Sequence, residues 1–148
     1  PAAKALLEHY ADRIVVPTDL AYIEQGKRHE AALSDLPFDS LALDIGSETA
    51  AHYADKIHQA ATVFVNGPMG VFEEEATELG SRLVWEALGT TAAYTVIGGG
   101  DSLTATAKFG QTDKIGYLCT GGGALIRFLT GEELPVIKAL RHAAKVFS

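Results

Sequence analysis

The chain has 148 residues, 47% hydrophobic and 21% charged, with a formal charge of −7. That suits one domain with a real core and excludes a disordered chain. Its scattered Lys and Arg give no basic face for nucleic acid or an anionic membrane, no apolar run approaches the ~20 residues that cross a bilayer, and its one cysteine, Cys119, rules out an internal disulfide and fits a reducing, cytoplasmic location.

Residues 2–12 read as an amphipathic helix with Ala5, Leu6 and Tyr10 inward, not as a signal peptide. "RIVVP" (13–17) is β-branched and predicts a short strand, whereas residues 25–36 carry turn formers at both ends and read as an exposed excursion. "LALDIG" (41–46) predicts a strand ending in an acid and a glycine. Ser47 then caps a helix with Ala50, Ala54, Ile57 and Ala61 on one face. "TVFVNG" (62–67) predicts a strand, followed by a helix over 74–89 with Leu79, Leu83 and Ala87 inward. "YTVIGG" and "IGYLC" predict two more strands, each leading through glycines into a helix. A last helix follows Pro135, with Ile137, Leu140 and Ala144 inward. Apolar strands alternating with helices predict an α/β fold: a three-layer α/β/α arrangement around a mainly parallel, Rossmann-like sheet. Because the chain opens on a helix, out of that rhythm, the sheet is expected to be incomplete at its N-terminal side.

In an open parallel sheet the strand-to-helix loops share the carboxyl edge, where ligands bind. Three such loops are glycine-rich: "NGPMGVFEEE", "IGGGDS" and "CTGGGA". Glycine admits positive φ and lets a ligand approach without meeting a Cβ. The amides and dipole of the following helix favour an anion. Neither "GGGDSL" nor "GGGALI" completes G-x-G-x-x-G, and no loop supplies the lysine of G-x-x-x-x-G-K-[ST]. Taken alone, the triplets leave phosphate binding and plain turn geometry both open. Asp101 precedes a helix, where Asp is a favoured cap, yet a carboxylate beside phosphates also suits Mg²⁺. Ser102 offers a hydroxyl donor to a phosphate oxygen. Glu73, next to Val71 and Phe72, suits either a first helical turn or a ribose diol, and Asn66 either a turn or a ligand contact. His9, His29, His52, His58 and His142 show no metal-ligand spacing. No Ser/His/Asp set or G-x-S-x-G elbow is present, and Cys119, Trp85 and Phe109 read as core.

The order "DIGSET", "NGPMGVFE", "IGGGDS", "CTGGGALIRFLTGEELPVIKAL" resembles the carboxyl-terminal, nucleotide-binding domain of phosphoglycerate kinase, from about residue 41 to 139. Residues 2–19 are similar to the family's preceding helix and strand, and "CTGGGALIRFL" leans toward its archaeal-type members. The resemblance implies that Glu73 holds the ribose hydroxyls, that Val71 and Leu43 form part of the adenine wall, and that Asn66 and Pro68 neighbour the phosphates. It gives Gly99, Gly100, Asp101 and Ser102 to the nucleotide phosphates, with Asp101 both helix cap and Mg²⁺ contact. Gly121, Gly122 and Gly123 match the helix amino terminus facing the phosphoryl group in transfer. The implied reaction moves a phosphoryl group between MgATP and 3-phosphoglycerate in glycolysis or gluconeogenesis, by alignment and charge stabilisation without a strong base.

Ala42 stands where the family commonly has Gly, Ser47 where Pro is usual, and Ser102 where Thr is frequent. The family's amino-terminal domain, which binds 3-phosphoglycerate, and its lysine-bearing glycine loop find no counterpart. Residues 1–148 are therefore expected to be part of the nucleotide-binding domain, cut from a longer chain and inactive alone, with an open sheet edge that pairs with a second copy. A nucleotide-binding module without catalysis is the alternative. A dehydrogenase would need a dinucleotide fingerprint, and a purely structural domain would bind no nucleotide.

Overall fold

The computed structural model describes residues 2–37 and 39–147. Among the described residues, 2–54 with 69–84 form one compact unit and 55–68 with 85–147 another. No helix among the described residues is long and apolar enough to cross a membrane.

The first unit holds α1 (Ala2–Tyr10), β1 (Asp19–Glu24), β2 (Lys27–Ala32), β3 (Ala42–Ile45) and the start of α2 (Ser47–Gln59). Its sheet has the order β2-β1-β3, antiparallel throughout. The β1–β2 connection is a two-residue turn with Gln25 at φ 51° and Gly26 at φ 75°, the double positive φ that matches the twist of a tight hairpin. The expected exposed excursion is thus a strand. Its sequence, Lys-Arg-His-Glu-Ala-Ala, hides this because most of its side chains face solvent. "RIVVP", by contrast, forms no strand: residues 14–17 have no ladder partner among the described residues, and β propensity needs a neighbour to pair with. Helix α1 buries none of its side chains. Leu6 is 52% and Tyr10 48% exposed, against the inward face expected of them.

The start of α2 is organised by two carboxylates from the hairpin. Asp19 accepts the amides of Glu48 (3.1 Å) and Thr49 (2.8 Å) and the Thr49 hydroxyl. Glu30 accepts the amide and hydroxyl of Ser47 at 3.0 and 2.6 Å. Ser47 is therefore the first helical residue and a donor, not the cap. Gly46 has no alternative, since a Cβ there would collide with the Asp19 carboxylate. Burial pushes the Asp19 carboxyl up, but the Thr49 hydroxyl and amide and the Glu48 amide outweigh it and hold it below the usual carboxylate range. Glu30 is likewise lowered: burial opposes, while Ser47 and Arg28 prevail.

The second unit carries the parallel sheet β4 (Thr62–Asn66), β5 (Tyr94–Gly98) and β6 (Tyr117–Cys119), in the order β4-β5-β6. With it go most of α3 (Leu79–Thr90), α4 (Gly100–Lys108), α5 (Gly123–Leu129) and α6 (Pro135–Val146). The α/β class and the parallel sheet flanked by helices stand as expected, the sheet small and incomplete. Its core is Val65, Ile97, Trp85, Leu88 and Ala105. Trp85 Nε1 donates to Thr106 Oγ1 at 2.8 Å, Thr106 donates on to the Ser102 carbonyl at 2.7 Å, and Phe109 tilts against the indole. Helix α3 begins five residues later than the spacing predicts, because residues 72–77 are taken up by turns. On the opposite face of the sheet Phe64, Tyr94 and Tyr117 are 40%, 56% and 55% exposed. Leu140, expected to face inward from α6, is exposed as well, and α6 buries none of its side chains.

Asp19→Ala is expected to cost about 1–2 kcal/mol at neutral pH, the typical worth of a lost N-cap. Asp19 and Glu30 bind a proton more weakly folded than unfolded. Their contribution is therefore complete above the unfolded pKa of about 4 and lost as pH falls through the folded values. Urea unfolding of both proteins from pH 7 down to pH 2.5 checks this: the gap should close with acid, and a constant gap would contradict the capping role.

Candidate functional site

The second unit brings together the loops that follow its three parallel strands. Asn66, the last residue of β4, donates from Nδ2 to the Gly98 carbonyl at 2.9 Å. The Gly67 amide donates to Ser102 Oγ at 2.7 Å, and the Gly99 amide to the Cys119 carbonyl at 3.1 Å. The loops after β4, β5 and β6 are thus tied to one another at the carboxyl edge, where Asn66, Gly99 and Gly122 meet.

The glycines divide the work. Gly98 lies under α5, so a Cβ there would stand 2.9 Å from Leu125 Cδ2. Gly99 has φ +102° and ψ 148° and is the N-cap of α4. A Cβ on it would lie 3.1 Å from Asn66 Nδ2 and 3.7 Å from the Gly122 Cα. Gly122 is the N-cap of α5, and its own Cβ would come within 3.4 Å of the Gly99 Cα. The two helix starts therefore touch through bare backbone. Gly100 and Gly123, the first residues of α4 and α5, face open space, with nothing within 4 Å of a built Cβ. Gly121 is half-buried beside them, and Gly123 and Ala124 also border a cavity of about 390 Å³ with Arg127 and Pro135.

Neither helix start has a side-chain cap, so the leading amides of α4 and α5 have no acceptor within their own helices. Together with the aligned peptide dipoles they make a locus for an anion. Asp101 is the second residue of α4 and exposed. It is not the cap, a position Gly99 holds. Ser102 is 1% exposed and its Oγ accepts the Gly67 amide, so the hydroxyl expected to meet a phosphate joins two loops from within. No three His, Cys, Asp or Glu among the described residues gather as a metal site. One exposed carboxylate beside open amides fits Mg²⁺, which takes one or two carboxylates and fills its other positions with phosphate oxygens and water. Pro68, half-buried, closes the β4 loop.

The first unit holds the other expected residues. Leu43, half-buried in β3, accepts the Val71 amide on its carbonyl at 2.8 Å. Val71 is 39% exposed, the next side chain, Phe72, is buried, and Glu73 is exposed in the turns before α3. The Thr77 hydroxyl donates to the Val71 carbonyl at 2.6 Å and fixes the loop internally. Sequence reasoning missed two residues of this region. Asp44, 4% exposed, accepts the Gly80 amide at 2.7 Å and Arg28 Nη1 at 2.9 Å. Burial pushes its carboxyl up despite both partners. The acid inside an otherwise apolar "LALDIG" is the one local sign of this arrangement; nothing local points to Arg28.

The family model of phosphoglycerate kinase matches residues 1–132. The phosphoglycerate kinase of Methanothermus fervidus is 43% identical over 143 residues, which cover 97% of this chain and 35% of that protein. That of Thermoplasma volcanium is 40% identical over 144 residues, again 97% and 35%. Solved structures are similar as well. Phosphoglycerate kinase from Coxiella burnetii has a TM-score of 0.83 at 37% identity, covering 93% of this chain and 37% of its own. The Pyrococcus horikoshii enzyme has a TM-score of 0.85 at 36% identity, covering 97% and 36%. The chain spans about a third of the length of the curated relatives it matches.

The glycine geometry separates two substitutions one residue apart. Gly99→Ala is expected to destabilise by about 1–3 kcal/mol, since its φ suits glycine alone. Gly100→Ala should leave stability equal or up to about 1 kcal/mol higher, because Ala is the better helix former. Urea unfolding of the pair checks this, and equal losses would contradict the division.

Proposed function

The chain belongs to the phosphoglycerate kinase family, and from that premise we propose that it forms the nucleotide-binding portion of such an enzyme. The single observation that carries the reading is the contact of Gly99 with Gly122, which sets the open amino termini of α4 and α5 side by side at the carboxyl edge. A polyphosphate suits such a pair of helix starts. Its charge is met by dipoles and amides, so a chain of charge −7 needs no lysine cluster to hold it.

On this reading the leading amides of α4 and α5, around Gly99, Gly100 and Gly121 to Gly123, orient the phosphates and stabilise charge on the group in transfer. Asn66 and Pro68 shape the neighbouring loop. Within the first unit, Leu43 and Val71 offer an apolar surface suited to adenine, and Glu73 an acceptor suited to ribose hydroxyls. Asp101 would hold Mg²⁺ from the protein side, and the ion would supply charge neutralisation for the phosphates. The acceptor, 3-phosphoglycerate, has an ionised carboxylate as nucleophile, so the protein has only to align it and exclude water. Its site belongs to a part of the family's length that these residues do not span. The chain by itself thus acts as a nucleotide-binding module.

Calorimetric titration with ADP, with and without Mg²⁺, tests the proposal. Binding should saturate at one site and tighten with Mg²⁺. Asp101→Asn should erase most of the Mg²⁺ gain, on the order of tenfold in affinity, with the melting temperature unchanged because the side chain is exposed. A kinase assay of the chain with MgATP and 3-phosphoglycerate should show no turnover. Absence of ADP binding would defeat the proposal, and turnover would defeat the placement of the acceptor site.

A further inference from the structure

Arg28 leaves the solvent-facing strand β2 and turns its guanidinium inward. Nη1 donates to Asp44 Oδ2 at 2.9 Å, Nη2 to the Ile45 carbonyl at 2.9 Å and Nε to Glu30 Oε1 at 3.0 Å. Its side chain is 17% exposed and that of Asp44 is fully buried. Asp44 Oδ2 also accepts the Gly80 amide at 2.7 Å, so one carboxylate oxygen joins β2 to the first turn of α3.

The preceding residue of β3 holds the other end of the same loop. The Leu43 carbonyl accepts the Val71 amide at 2.8 Å. Gly70 lies so close that a Cβ on it would stand 2.5 Å from the Leu43 oxygen and 2.6 Å from the Asp44 Cα. Residues 70–80 are therefore clamped at both ends by Leu43 and Asp44, and Val71 and Glu73 lie on the span between the clamps. All of these residues belong to one unit.

A buried ion pair is a weak source of stability, because an apolar pair of similar volume often serves as well. Its strength is direction: the planar guanidinium fixes both the distance and the angle of the carboxylate it holds. Asp44 Oδ1 has no partner, so the orientation of the carboxylate depends on what holds Oδ2. Take away Arg28, and only main-chain amides, those of Gly80 and Ile45, would hold a buried acid that desolvation already disfavours as an anion.

We propose that Arg28, acting through Asp44, is a positioning residue for nucleoside recognition: it sets the Val71–Glu73 span against β3 so that the apolar surface and the ribose acceptor stand at fixed separation. The proposal rests on the reading of Leu43, Val71 and Glu73 as nucleoside contacts. It assigns Arg28 no part in holding phosphate.

The test compares two ligands on the full chain by calorimetry, MgADP and magnesium tripolyphosphate, the second lacking a nucleoside. Arg28→Met should weaken MgADP on the order of tenfold or more, as loss of ligand alignment does, and leave tripolyphosphate affinity unchanged. Arg28→Lys keeps the charge but not the fork and should fall between wild type and Arg28→Met. Asp44→Asn, which retains an acceptor for Gly80, should show the same nucleoside-selective loss, only smaller. If Arg28→Met does not fold by near-UV circular dichroism, the lysine and asparagine variants carry the comparison. Unchanged MgADP affinity in the folded variants overturns the proposal while nucleotide binding stands. Equal weakening of both ligands overturns it too, as the mark of a general structural role. A wild-type chain that binds tripolyphosphate but gains nothing from the adenosine removes the nucleoside reading and this proposal with it.

Discussion

The leading amides of an α-helix have no acceptor inside their own helix, and this chain meets that constraint in two opposite ways. At α2 the protein fills the vacancy itself: Asp19 and Glu30, from the hairpin, accept the amides of Ser47, Glu48 and Thr49. At α4 and α5 the caps are Gly99 and Gly122, neither with a side chain to offer. The first arrangement makes a rigid corner. The second leaves two groups of donors open at a sheet edge, the property that suits a polyphosphate ligand.

Close backbone approach is what permits the second arrangement. Gly98 yields to Leu125 and Gly99 to Asn66 and Gly122, while Gly67, Gly100 and Gly123 face unfilled space. Part of the glycine in these loops therefore makes room for protein, and part leaves the backbone open. The loops are backed by the indole of Trp85, whose hydrogen bond through Thr106 reaches the carbonyl of Ser102 in the first turn of α4. The residue at the heart of that core thus also braces the helix whose start is exposed.

The first unit shows the complementary use of charge. Arg28, Glu30 and Asp44 form a small network in which a single guanidinium touches two carboxylates and a main-chain carbonyl. Such a network gains little stability over apolar packing, and its value lies in fixing where residues 70–80 stand relative to β3. Strand β3 serves this loop twice, through the carbonyl of Leu43 and the side chain of Asp44.

Local pattern carried a large share of the answer. The apolar runs that became β3, β4, β5 and β6, and the glycine loops after the last three, are legible from the sequence because strand propensity and glycine's freedom at positive φ are properties of a few adjacent residues. So is the ordered set of motifs that marks the family. Other features were decided only by tertiary structure. Residues 27–32 look like a polar loop until β1 is there to pair with them, and residues 13–17 look like a strand, yet 14–17 have no ladder partner among the described residues. The capping of α2 joins residues about thirty apart, as in Asp19 and Thr49, and the clamp on Gly80 joins it to Asp44. The inward faces expected of α1 and α6 were drawn from periodicity, which says which side of a helix is apolar but not whether anything covers it. A window of sequence records what each residue prefers; the partner of a buried carboxylate or the cover of an apolar face is set by distant residues that only the folded chain brings near.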